Sequence, residues 1–168
     1  SLTVTSVSED GKWLVYGTSA GGSDWNEFRI RNIDTGEDMP EVLKWIKFSG
    51  ASWARDASGF YYGRFPEPEK GAAMTAANKN KRLMFHKLGT AQSEDIEVYA
   101  DPAHPDWGFY GSVTDDGGYL VITVSEGTDP RNRIYIKDLA VKDSKVVKLL
   151  DGFDADYGFI DNVGTKFY

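Results

Sequence analysis

The sequence predicts an all-β fold built from repeated units of short antiparallel strands, and three observations predict it. The first is a marker turn, Ser8–Tyr16 (SEDGKWLVY), in which an acidic, glycine-ended turn feeds an aromatic and aliphatic run. It returns at Arg55–Tyr62 (RDASGFYY), Thr114–Ile122 (TDDGGYLVI) and Asp161–Tyr168 (DNVGTKFY). The marker glycines are Gly11, Gly59, Gly117 and Gly164. They recur at intervals of roughly fifty residues, as repeated supersecondary units do. Each is expected to supply the positive φ that a tight turn requires. The second observation is composition: aromatics reach 14% and there are 18 glycines, a pairing that suits β-strands joined by tight turns. The third is negative, since no segment carries a sustained 3.6-residue apolar stripe.

Taken in order, Thr3–Val7 alternates polar and apolar residues and Trp13–Thr18 follows the first marker turn. Glu27–Ile33 alternates strictly, with Phe28 and Ile30 set against Arg29 and Arg31, which is the pattern of a half-buried strand. Val42–Phe48 alternates again, so the first unit contains about four strands, as a β-propeller blade does. The second unit opens at Ala51–Arg64 with Phe60–Tyr62 as its core run, followed by strands at Arg82–Leu88 and Ile96–Ala100. Between them Phe65–Lys81 is polar and lacks an apolar face, so it reads as a mobile loop with at most a helical turn around Gly71–Asn78. The third unit starts at Gly111, with strands at Tyr119–Val124, Arg133–Leu139 and Lys145–Leu150. The predicted architecture is therefore a partial β-propeller of three to four blades, with units 1–50, 51–110, 111–152 and an incomplete 153–168. The chain opens strand-like without Met and stops inside a strand-like run, so it is expected to be a piece of a larger protein.

The net charge of −7 and the absence of a basic patch argue against a nucleic-acid partner, whose phosphates need clustered Lys and Arg. No apolar run reaches the roughly 18 residues that a membrane-spanning helix needs, so no membrane partner is expected. With no cysteine, thiol catalysis and sulfur-ligated metals are excluded. His86 lies in a strand and His104 in a Pro-bounded loop, and neither has ligand-like spacing to other donors, so both read as structural or solvent-facing. Asp115-Asp116-Gly117 lacks the ligand ladder of a calcium loop and reads as a hairpin turn. No metal or cofactor is expected.

Gly17-Thr18-Ser19-Ala20-Gly21 matches the G-x-S-x-G pattern of a nucleophile elbow, which requires a strand-to-helix turn. Here a second strand follows instead, so Ser19 reads as a strand-end residue; an esterase using Ser19 stays as an alternative. Asp24-Trp25, Phe48, Asp106-Trp107 and Glu126–Arg133 fall in turns or at strand ends, where a propeller lines a face or channel. Blade packing by Trp25 and Trp107, with Arg131 and Arg133 paired to local acids, is the plain alternative. An independent propeller-like binding scaffold is a further one.

Four stretches together resemble the propeller of the prolyl oligopeptidases: SEDGKWLVYGTSAGGSDW, VLKWIKFSGASWARDASGFYYGRFP, HKLGTAQSEDIEVYADP and VSEGTDPRNRIYIKDL. They occur in the family's order and cover nearly the whole chain. The resemblance stops short of the peptidase domain, which carries the family's Ser, Asp and His triad, so no catalytic residue is expected within this sequence. It implies a non-catalytic role: gating access of short proline-containing peptides to an α/β-hydrolase domain and lining the outer substrate pocket. By the resemblance Phe48 is the propeller aromatic of an S3-type subsite, with Gly108 and Thr128 at two further positions where mammalian members carry Met and Cys. Asp24 aligns with an acid that pairs across to the peptidase domain, and Ser125 stands where mammalian members use an Arg for a similar contact. The resemblance further implies a cytoplasmic protein, or a periplasmic one for a bacterial parent. Open blade faces lead us to expect that the isolated chain self-associates.

Overall fold

A computed structural model describes residues 1–73, 75 and 77–168. Met74 and Ala76, inside the expected 65–81 loop, lie outside the described residues. The described residues form three four-stranded antiparallel sheets and one two-stranded sheet.

The first sheet contains β1 (Leu2–Val7), β2 (Trp13–Ser19), β3 (Asn26–Asn32) and β4 (Asp38–Ile46), each paired to the next in chain order. The second contains β5 (Ala51–Trp53), β6 (Gly59–Arg64), β7 (Arg82–Lys87) and β8 (Ile96–Tyr99), again in order. The third contains β9 (Trp107–Val113), β10 (Tyr119–Glu126), β11 (Asn132–Asp138) and β12 (Val147–Leu150), and β13 (Asn162–Val163) pairs with β14 (Lys166–Phe167). A single 3-10 turn, Gln92–Glu94, is the helical element among the described residues.

The three meanders stack face against face. Val15, Phe28, Ile30 and Leu43 of the first sheet pack on Trp53, Phe60, Tyr62 and Met84 of the second. The opposite face of the second sheet, through Tyr61 and Leu83, meets Phe109, Leu120, Ile122 and Tyr135 of the third. This explains β6 (GFYYGR): its first five residues are buried, so it shows a continuous apolar run where a half-buried strand would alternate. The innermost strands are stitched together as well. Trp53 Nε1 donates to the Ser6 carbonyl at 3.0 Å, and Val113 N–H to Ser52 Oγ at 2.9 Å.

The marker turn is closed by a short side chain. Ser8 Oγ and Thr114 Oγ1 each donate to an aspartate two residues on, Asp10 and Asp116, both at 2.6 Å. Each hydroxyl also accepts the N–H of the residue that opens the next strand, Trp13 and Tyr119, both at 3.0 Å. Gly11 and Gly117 take the expected positive φ of 70° and 73°. Gly59 does not. In the second sheet the positive φ falls on Ala57, at 57°, and Gly59 sits inside β6 for a different reason. A Cβ there would stand 2.1 Å from the His86 carbonyl oxygen.

The first strand of the third sheet begins at Trp107, before the Gly111 at which the sequence reading opened that unit. The described part of the 65–81 loop is tied to its surroundings. Ala73 O accepts Trp25 Nε1 at 2.6 Å, Asn78 Oδ1 accepts Lys47 Nζ at 3.1 Å, and Asn80 N–H donates to Pro105 O at 2.7 Å.

Candidate functional site: a lysine-floored cavity between two sheets

The second and third sheets diverge at one end, where the β4–β5 link meets the β10–β11 turn. A cavity of about 410 Å³ opens there. It gathers Phe48 from the link, Gly108 and Tyr110 from β9, Ser125 from the end of β10, and Thr128 from the turn beyond. The link, β9, β10 and the turn after it thus contribute to one concave, largely apolar surface, the usual form of a small-ligand site.

Phe48 is held out of the core. Its backbone lies at φ 50°, in the left-handed region that non-glycine residues rarely enter, and its side chain is 56% exposed. Its carbonyl accepts a hydrogen bond from Lys81 Nζ at 2.5 Å. Gly108 pairs with Ser125 across β9 and β10, and a Cβ at 108 would meet Ser125 Oγ at 2.8 Å and the Tyr110 ring at 3.3 Å. The glycine therefore keeps that wall open. Trp107 closes another side, stacked on His104 with ring centroids 3.9 Å apart and with the Arg133 guanidinium 4.1 Å from its ring.

Lys81 is the unexpected member. The sequence NKNK reads as solvated loop, yet Lys81 is only 3% exposed. Its ammonium stands 4.0 Å from the centre of the Tyr110 ring, and no carboxylate among the described residues forms an ion pair with it. Burial alone pulls its pKa down to about 7. Gly63 makes room for it, since a Cβ there would stand 2.5 Å from Lys81 Cε. No signal in the sequence marks Lys81, because its burial depends on a glycine and an aromatic from other strands.

The remaining candidates are placed as follows. Asp24 is exposed beside the Gly-rich turn, outside the cavity, and its carboxylate forms no ion pair among the described residues. Its neighbour Trp25 packs edge-on against Trp45 and Phe65, with centroids 5.6 and 6.3 Å away. Arg131 pairs with Asp129 at 2.7 Å and Arg133 with Glu126 at 2.6 Å, as the plain reading anticipates. Hydrogen bonds from Arg131 hold the Asp129 carboxyl down to about 2. His86 is fully buried, with Nδ1 2.6 Å from Asp95 Oδ1, while Tyr62 donates to the other oxygen of Asp95 at 2.5 Å. His104 is engaged by Asp101 at 2.9 Å. Both imidazoles are thus committed elsewhere, and among the described residues the Ser19 hydroxyl meets the Ser1 hydroxyl, at 3.1 Å. A serine nucleophile needs a base and an orienting acid beside it, and Ser19 has neither among the described residues.

Stacked four-stranded meanders with their innermost strands side by side define a β-propeller. The chain belongs to the prolyl oligopeptidase family: the profile of its N-terminal β-propeller domain matches residues 1–168. A prolyl endopeptidase from Elizabethkingia meningoseptica is 35% identical over 168 residues, covering 100% of this chain and 23% of the relative. Prolyl oligopeptidase A from Amanita bisporigera is 32% identical, with 100% and 25% covered. Among solved structures, prolyl oligopeptidase B from Galerina marginata, bound to a 35mer hydrolysis and macrocyclization substrate, superposes with a TM-score of 0.91 at 30% identity, covering 99% of this chain and 25% of that one. This chain spans about a quarter of the length of such relatives.

Proposed function

We propose that this chain is the substrate-selecting, non-catalytic portion of a prolyl-specific serine peptidase, gating access to a peptidase domain and lining the outer part of its substrate pocket. One observation carries the reading: Phe48, Gly108 and Thr128, which the resemblance assigns to an outer subsite, line a single cavity together with Ser125. Short proline-containing peptides are its ligands, and the α/β-hydrolase domain of the parent is its partner. Asp24 reaches that domain as an exposed, unpaired acid; the hydroxyl of Ser125 cannot supply the charged contact of an arginine. The parent is assigned to the cytoplasm, or to the periplasm of a bacterial cell, which fractionation of the source cells decides.

The test is steady-state kinetics of the parent peptidase carrying Phe48→Ala. A half-exposed aromatic that becomes covered by substrate contributes about 1–2 kcal/mol, so KM should rise about tenfold with kcat little changed. An unchanged KM for every peptide tried would remove Phe48 from the pocket. Gating adds a second expectation: a short proline peptide is cleaved, and the same sequence within a folded protein is spared.

A further inference from the structure

Nothing in the assigned subsite explains why a lysine with no counter-ion among the described residues lies under it. Burying an ammonium unpaired is costly, and proteins normally pair such groups or expose them. Lys81 has three N–H donors. One goes to the Phe48 carbonyl and one faces the Tyr110 ring, which leaves a third without a partner among the described residues, at a surface that the cavity reaches.

We propose that Lys81 is a specificity-determining residue of this cavity: its ammonium takes a side-chain carboxylate of the bound peptide, so that the parent peptidase favours Asp or Glu at the position that enters the pocket. This rests on the reading of the cavity as a peptide subsite, and it adds the substrate class. The site is built for such a ligand. Gly63 and Gly108 clear the space, Phe48 and Tyr110 fix the nitrogen, and the apolar walls keep water from screening the pair. The charged groups nearby leave the role open. Asp106 at the rim is mostly exposed and turned to Lys79 at 3.6 Å. Lys47 is occupied by Asn78 and stands 4.1 Å from the Trp25 ring. Arg82 pairs with Glu97 at 3.5 Å, and Asp101 is bonded to His104. A carboxylate entering the cavity would therefore meet a cation that has no acid of its own among the described residues.

Because burial brings Lys81 down to about 7, the pairing also depends on pH. Below that value the ammonium is charged before substrate arrives. Above it, binding of a carboxylate must first recruit a proton, and the preference fades as pH rises.

The experiment compares two proline peptides that differ only in Glu or Gln at the third residue before the scissile bond, using the full parent peptidase. The wild type should favour Glu by about tenfold in kcat/KM, the order of a charge-assisted hydrogen bond, at about pH 6 and lose the preference by about pH 9. Lys81→Met should bring the Glu/Gln ratio to about one, and Lys81→Arg should retain it at both pH values. An equal ratio in wild type and Lys81→Met overturns the proposal. So does a wild-type ratio that is one throughout, or that does not move with pH, which keeps the test decisive even if Lys81→Met does not fold. Phe48→Ala separates the two readings. If it raises KM for both peptides while Lys81→Met leaves the ratio alone, the subsite stands and the lysine's role falls. If it raises KM for neither, the subsite reading itself falls.

Discussion

At the scale of single residues, Lys81 and Phe48 both occupy unfavourable positions. Lys81 is an ordinary lysine in the unfolded chain, with its pKa near the usual 10.5, and is lowered to about 7 in the fold. The sign follows from proton counting. Between these two values the unfolded chain holds the proton and the native one does not, so stability rises with pH. We expect the unfolding free energy to climb by up to about 1.4 kcal/mol per pH unit between about pH 7 and pH 9. Urea titrations across that range should show the slope in the wild type and none in Lys81→Met. Phe48 carries backbone strain instead. Ala and Gly at 48 both remove the ring, but only Gly relaxes the left-handed φ of 50°. Phe48→Gly should therefore be more stable than Phe48→Ala by about 1 kcal/mol, read from their urea midpoints. Equal midpoints would mean that the strain is absent in solution.

At the scale of elements, the strands that alternate or follow a marker turn were legible, and those shaped by a neighbour were not. Glu27–Ile33 was anticipated within one residue at each end of β3, because arginines on one face and Phe28 and Ile30 on the other leave a single register. β5 has three residues, too few to show a period. β9 was hidden because Trp107–Val113 holds Gly108 and Gly111 and follows a proline-bounded segment that reads as loop. Gly111 is there because a Cβ would meet the Leu83 and Leu120 side chains at 3.1 and 3.2 Å, a demand made by other strands. The site divides in the same way. Phe48, Gly108 and Thr128 came from likeness to a family, whereas Lys81 needed the fold. Gly59 gives the clearest test of this distinction. As a turn glycine it would tolerate Ala at a cost of about 1 kcal/mol, as Gly11 should, where a Cβ meets open space. Inside β6, pressed on the His86 carbonyl, Gly59→Ala should cost about 3 kcal/mol because β6 and β7 must move apart. Thermal or urea unfolding of the two variants side by side distinguishes these cases, and equal losses would return Gly59 to the turn.

At the scale of the whole molecule, the two ends of the stack present different surfaces. The outer face of the first sheet carries a satisfied polar cluster: Tyr16 donates to Asp38 at 2.6 Å, and Arg31 pairs with the same carboxylate at 2.7 Å. Such a cluster stays comfortable in water. The other end exposes apolar side chains: Ile160 is 84% and Val163 71% exposed, and on the edge strand β12 Val147 and Leu149 are exposed as well. A two-stranded hairpin such as β13–β14 is marginal alone, and its open edges offer unpaired N–H and C=O groups to another strand. The isolated chain should therefore self-associate, and through this end rather than through the β2–β3 face. Light scattering should give a mass above that of the monomer, returning to the monomer value when Ile160 and Val163 are replaced by Lys. Arg31→Ala, on the polar face, should leave the mass of the assembly unchanged. A monomer mass for the unaltered chain would show that the hairpin folds back over its own apolar residues in solution, and association restored to monomer by the Arg31 variant would place the contact at the opposite end.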